Sequence, residues 1–187
     1  MDRRAARVAA VVEWARGLAA RVSGTRVVAV EGRSGAGKTE LARELAVAFG
    51  APLIRMDDLY PGWDGLRGGV TALHDWVLRP LAAGEPVRWR SWDWAADRYA
   101  DAWHEVPRTG SLVVEGVGCG ARVLAPYVSG LVWIEVPDAL RRERALARDG
   151  ATYEPHWERW ARQEDEFYGT DDVRGRADLI IDGSADS

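Results

Sequence analysis

The sequence predicts an α/β fold, a doubly wound five-stranded parallel sheet with helices on both faces. Three observations carry this. Five short apolar runs, rich in valine, leucine and isoleucine, are bounded by glycine, proline or aspartate. Segments with helical spacing of apolar residues alternate with them. The first run ends in a glycine-rich loop that opens directly into one of those helical segments, the order strand, loop, helix that a parallel unit requires.

In chain order, Val8, Val11, Val12, Ala15, Leu18 and Val22 fall on one stripe and predict an N-terminal helix over 1–24, set beside the first strand. Residues 26–31, Arg-Val-Val-Ala-Val-Glu, form that strand. Leu41, Leu45, Ala48 and Phe49 give the next helix its buried side, so 27–49 is one strand–loop–helix unit closed by Gly50-Ala51-Pro52. A second strand at 53–56 runs into Asp57-Asp58-Leu59-Tyr60-Pro61. A glycine-rich loop over 62–69 leads to a helix around 70–83, while 87–94 mixes apolar and polar residues without a period. The third strand is 112–115, stopped by Gly116, and the fourth is 131–136. Pro137-Asp138 starts an arginine-rich helix. A further helix at 153–168 and a fifth strand at 178–183 complete the pattern. The 187 residues suit one domain, with no internal repeat or low-complexity linker.

Composition narrows the partners. A formal charge of −4, with arginines scattered or confined to one cluster, argues against nucleic acid and toward a small ligand. Cys119 is the single cysteine, which rules out an internal disulfide and a cysteine-based zinc site, and the three histidines lack metal-ligand spacing. Glu13 and Arg16 interrupt the N-terminal apolar run too early for a signal peptide, and no stretch approaches the roughly twenty apolar residues of a membrane span. A cytoplasmic protein with no membrane partner is expected.

The loop Gly32-Arg33-Ser34-Gly35-Ala36-Gly37-Lys38-Thr39 fits G-x-x-x-x-G-K-[ST]. Glycines let successive backbone N–H groups curl around a polyphosphate, and the following helix aims its positive end at the same anion. Lys38 would reach the β- and γ-phosphates of ATP, and the Thr39 hydroxyl would ligate Mg²⁺. Glu115, ending an apolar strand expected beside the loop strand, would hold the same Mg²⁺ through water.

With these pieces in order, the chain resembles the uridine kinase family of P-loop kinases, whose relatives include nicotinamide riboside kinases and phosphoribulokinases. The resemblance spans roughly 27–183. Beyond the phosphate loop it rests on Met56-Asp57-Asp58-Leu59-Tyr60, Trp92-Asp93-Trp94, Val113-Val114-Glu115-Gly116, the run from Arg144 through Arg148-Asp149, and Ala177-Asp178-Leu179-Ile180-Ile181. It implies a P-loop NTPase fold with a small helical lid at about 138–153. It also implies that Asp57 orients the acceptor hydroxyl and accepts its proton, and that Arg144 and Arg148, sharing a helix face at i, i+4, meet the phosphates as the lid closes. Arg141 and Arg142 are expected to face solvent.

For the acceptor, the resemblance implies contacts from Asp57 and Tyr60, with Trp92 stacking on a planar group and Asp93 and Arg98 binding its polar edge. Trp63, Trp89 and Trp94 are further candidates for a stacking wall, whereas Trp157 and Trp160 share a helical stripe with Glu164 and Phe167 and read as core. His74, His104 and His156 read as structural or exposed. The family's Tyr-Asp-Phe signature, followed by histidine and arginine, is here Trp92-Asp93-Trp94-Ala95-Ala96-Asp97-Arg98, and the acidic segment after strand two is replaced by Gly62-Trp63-Asp64-Gly65-Leu66-Arg67-Gly68-Gly69. The expectation is an ATP- and Mg²⁺-dependent small-molecule kinase with a nucleoside first among acceptors. The alternatives are a kinase for a vitamin precursor, sugar or antibiotic, and a nucleotide-dependent switch with slow hydrolysis.

Overall fold

The computed structural model describes residues 3–184, and for 3, 148, 149, 151 and 152 the backbone alone. Among the described residues nine strands form three sheets: β1 Arg26–Glu31, β2 Leu53–Arg55, β3 Val87–Trp89, β4 Trp92–Asp93, β5 Arg98–Tyr99, β6 His104–Val106, β7 Ser111–Glu115, β8 Gly130–Glu135 and β9 Leu179–Asp182. The central sheet runs β2-β7-β1-β8-β9 and every pairing in it is parallel. Its five strands are the five apolar runs. In β1, side-chain alternation sends Val27 and Ala29 into one core and Val28 and Val30 into the other. A sheet that buries both faces has to be apolar throughout, which is why these runs do not alternate with polar residues.

One face is covered by α1 Arg3–Arg16 and α2 Lys38–Phe49, through Val11, Val12 and Ala15 from the first and Leu41, Ala42 and Leu45 from the second. The other is covered by α3 Leu66–Ala72, α4 Arg79–Ala83 and α6 Trp157–Asp171, which contribute Leu66, Leu81, Trp157, Trp160 and Phe167. Between β8 and α6 lies α5, Asp138–Tyr153, broken at Gly150 by a non-helical backbone.

Three expectations need correction. The N-terminal helix stops at Arg16 rather than reaching 24. The chain closes through Gly17 and Leu18 N–H bonds back to Trp14 and Ala15, then turns tightly at Ser23-Gly24 so that Val22 bridges Thr25. The helix expected near 70 begins at Leu66 and runs through a π-helical turn, Leu73–Leu78, into α4. Gly68 and Gly69, which read as loop residues, lie inside α3 because it presses on the preceding segment. A Cβ on Gly68 would sit 2.5 Å from Pro61 Cγ, and one on Gly69 would sit 2.5 Å from Tyr60 Cδ1. Finally, the patternless stretch after 87 is two antiparallel pairs, β3 with β6 and β4 with β5. The second pair is a hairpin held by the Trp92 and Tyr99 rings, 4.9 Å apart and nearly perpendicular, and by a turn in which Asp93 Oδ1 accepts the Ala95 and Ala96 N–H groups.

Candidate active site

The loop 32–37 leaves β1 and enters α2 at Lys38, as the motif requires. Gly32, Gly35 and Gly37 all have positive φ, at 144°, 81° and 88°. Space forbids a side chain at two of them as well. A Cβ on Gly35 would lie 2.1 Å from the Arg141 carbonyl oxygen, and one on Gly32 would lie 2.7 Å from that of Ile134. The loop is therefore wedged between the end of β8 and the first turn of α5. Lys38 Nζ donates to the Arg33 carbonyl at 3.1 Å, folded over its own loop.

At the carboxyl end of the sheet, a chain of hydrogen bonds joins the loop helix to the acid pair. The Thr39 hydroxyl donates to Glu115 Oε1 at 3.1 Å, Arg55 Nε reaches the same oxygen at 3.4 Å, and the Arg55 guanidinium meets Asp57 Oδ2 at 3.3 Å. β7 lies between β1 and β2, so Glu115 stands beside both the loop strand and the acid-bearing strand. Burial raises the Glu115 carboxyl above its ordinary range, and nearby Lys38 pulls it back. Asp58, next to Asp57, is also raised by burial.

Among the described residues no group of three or more His, Cys, Asp or Glu could cage a metal. A hydroxyl and a carboxylate alone suit Mg²⁺, which keeps its waters and takes its remaining ligands from substrate phosphates. The donor set at Thr39 and Glu115 fits that ion.

Two buried carboxylates, neither of them a site residue by sequence pattern, organise the loop. Glu31 is fully buried at the end of β1. Its Oε2 accepts the Gly118 and Gly120 N–H groups, each at 2.9 Å, and its Oε1 accepts the Gly32 N–H and the Tyr168 hydroxyl. Desolvation nonetheless pushes its pKa up to about 7. Glu164 on α6 accepts the Ser34 N–H at 2.9 Å and the Ser34 hydroxyl at 2.7 Å, while Arg33 turns outward to Asp165. Helical spacing had marked Glu164 as part of a core stripe. A carboxylate among tryptophans on a buried stripe was the available signal that it had a polar partner.

The lid arginines are arranged differently from expectation. Arg141, expected in solvent, is buried at 5 % exposure, with Nη1 donating to the Ser34 carbonyl and Nη2 to Asp138. The close approach of α5 to the loop forces it inward. Arg144 donates to the Gly183 and Ser184 carbonyls beyond β9. The side chain of Arg148 lies outside the described residues.

On the acceptor side, Trp94 donates its indole N–H to the Asp57 carbonyl and packs 4.9 Å from Trp63, which stacks on His156 at 4.2 Å and on Tyr153 at 5.6 Å. An aromatic wall therefore stands beside Asp57, built from Trp63 and Trp94 and lacking Trp92. Trp92 turns its ring into the hairpin against Tyr99, and Trp89 packs at a tilt on His104. Three other expected contacts are spent elsewhere. Tyr60 is buried at 2 % exposure with its hydroxyl on the Val117 carbonyl, Asp93 closes the hairpin turn, and Arg98 pairs with exposed Asp101. His74 bonds Asp75 and Tyr127, a structural role.

A cleft of about 600 Å³ opens beside Gly35–Gly37, bounded by Arg7 and Val8 of α1, Leu41 of α2 and Leu140 and Arg144 of α5. Its lining includes Gly35, Ala36 and Gly37 of the glycine-rich loop and does not include Asp57.

The fold is the doubly wound parallel sheet with a phosphate-loop motif between β1 and α2, the strand order and layering of P-loop kinases. The resemblance read from the sequence is found in the comparisons. A possible uridine kinase from Bacillus stearothermophilus superposes with a TM-score of 0.72 over 97 % of this chain and 100 % of that one, at 18 % identity. A candidate fructose transport system kinase from a Silicibacter species gives a TM-score of 0.65 over 92 % and 98 %, at 22 % identity. In sequence, the chain is 29 % identical over 167 residues to a cytidylate kinase from Pyrobaculum arsenaticum, covering 84 % of each. No family model matches it.

Proposed function

We propose that this chain is an ATP- and Mg²⁺-dependent kinase that transfers the γ-phosphoryl group to a hydroxyl of a small polar metabolite, with a nucleoside first. The carrying observation is the continuous chain Thr39, Glu115, Arg55, Asp57, which sets a phosphate-loop hydroxyl, a metal-suited carboxylate and an acceptor-side acid in one contact network. Phosphoryl transfer asks the protein for positioning and charge, and little covalent help. In this reading loop N–H groups and Lys38 hold the β- and γ-phosphates, with Lys38 leaving the Arg33 carbonyl to do so. Thr39, and Glu115 through water, would hold Mg²⁺, which would supply charge neutralisation at the phosphate oxygens. Asp57 orients the acceptor hydroxyl and takes its proton, and the Arg55 guanidinium holds Asp57 in place. The exposed Trp94 ring, with Trp63 inclined against it, offers a face for a base or ring. Arg144 serves the nucleotide from the cleft side, and Arg148 follows it one turn later on the lid helix.

The similarity to a cytidylate kinase favours a second reading, in which the acceptor is the phosphate of a pyrimidine nucleotide. One experiment separates these. The enzyme is incubated with Mg·ATP and, in separate arms, nucleosides, nucleoside monophosphates, sugars and vitamin alcohols, and products are identified by mass spectrometry. Phosphorylated nucleoside is expected. Product confined to the monophosphate arm selects the second reading, product confined to sugars or vitamin alcohols moves the acceptor out of the nucleosides, and ATP hydrolysis unstimulated by any arm overturns the kinase.

A further inference from the structure

One face of α6 touches both halves of the site. Trp160, Gln163, Glu164, Phe167 and Tyr168 recur at i, i+3, i+4, i+7 and i+8 and so share a side. Toward the phosphate loop, Glu164 accepts from the Ser34 N–H and hydroxyl, and the Tyr168 hydroxyl reaches Glu31 at 2.8 Å. Toward the acceptor-side loop 60–66, Gln163 Nε2 donates to the Trp63 carbonyl at 2.7 Å and its Oε1 accepts the Leu66 N–H at 3.4 Å. The Trp160 ring lies 4.7 Å from Tyr60, and Arg159 forks onto Asp64.

We propose that α6 is a positioning element that couples the two subsites, so that nucleotide in the phosphate loop orders the acceptor loop 60–66 through Glu164 and Gln163. The inference rests on reading 32–39 as the ATP phosphate site. Its physical basis is one peptide unit. The Arg33 carbonyl accepts Lys38 Nζ, and the N–H of that same planar peptide, on Ser34, donates to Glu164. When a triphosphate draws the ammonium away, the carbonyl keeps only the Ala36 N–H at 3.1 Å, and any rotation of the peptide moves the group that Glu164 holds. Glu164 is 1 % exposed; its Oε1 takes the Ser34 N–H, the Ser34 hydroxyl and the Trp160 indole N–H, while its Oε2 faces the Arg33 guanidinium at 3.7 Å. If Ser34 moved off alone, this buried carboxylate would lose two of its donors, a cost that favours its following Ser34 and carrying the helix with it. One residue earlier on the helix, Gln163 passes that shift to Trp63, a member of the aromatic wall.

The test needs no acceptor. Amide hydrogen exchange is followed with and without Mg·AMP-PNP. In the wild type, 32–39 is protected and exchange in 60–66 slows by about tenfold. Gln163→Ala retains nucleotide affinity within about twofold and loses the slowing in 60–66. Glu164→Gln, whose carbonyl oxygen accepts the same donors, keeps it; Glu164→Ala loses it. Slowing in 60–66 that survives Gln163→Ala overturns the coupling, as does its absence in a wild type whose 32–39 segment is protected. Failure of Mg·AMP-PNP to protect 32–39 overturns the nucleotide reading, and the coupling with it.

Discussion

Lys38 is the only lysine in the chain, so the positive charge it brings to the loop has no near substitute of its own kind. Lys38→Ala should cut turnover by about a hundredfold to a thousandfold, the usual cost of one preorganised contact to developing charge, while the circular dichroism spectrum and melting point stay near wild type. Asp57 has the opposite profile. Asp57→Asn keeps volume and loses the proton acceptor, so steady-state turnover should collapse while calorimetric Mg·ATP affinity holds; equal loss of both would move Asp57 to the metal. Glu31 supplies a pH test. Its folded pKa of about 7 lies above the ordinary 4.5, so the folded state holds a proton that the unfolded chain gives up. The stability this contributes is fully present below about pH 4.5 and is lost as pH rises toward and through 7. In Glu31→Gln that component disappears, so denaturant midpoints across this window should decline less steeply with rising pH than in the wild type. Parallel curves would show that Glu31 is ionised throughout.

Each strand of the central sheet was legible as an element because it must be apolar on both faces, and the phosphate loop because its glycines and lysine stand at fixed offsets. The acceptor side was less legible. Gly68 and Gly69 looked like a loop, yet they are the flat side of a helix lying on Pro61 and Tyr60, a requirement set by residues several positions away. The hairpin β4–β5 had the same problem, since two-residue strands carry no period and Trp92 and Trp94 look equivalent in sequence. In space they differ. Trp94 is 42 % exposed beside Asp57, whereas the Trp92 indole nitrogen is buried against the hairpin without a partner. Stacking on an aromatic ring is worth roughly 1–3 kcal/mol, so Trp94→Ala should raise the acceptor KM by about tenfold to a hundredfold with little change in melting temperature. Trp92→Ala should do the reverse, lowering stability by up to about 3 kcal/mol as cross-strand packing is lost. A shared outcome would mean that the hairpin acts as one block. The arginines of α5 were misread for a related reason. Arg141 is drawn inward by contact with the loop, which helical spacing alone does not encode.

At the scale of the molecule, the proposed nucleotide and acceptor halves meet along the carboxyl ends of β1, β7 and β2, and nothing among the described residues cages a metal by itself. Chelation should therefore abolish activity reversibly without shifting the melting temperature of the nucleotide-free protein. A large loss of stability on chelation would reveal a structural ion instead. The two small sheets, β3–β6 and β4–β5, make no ladder with the central one. They lie between α4 and β7 as an excursion, and the sheet's hydrogen bonds would close without them. The stretch between Val87 and Val106 can thus be exchanged for another of similar span without breaking a ladder of the central sheet. Grafting that stretch between distant relatives should transplant acceptor preference more readily than any set of point changes in the sheet.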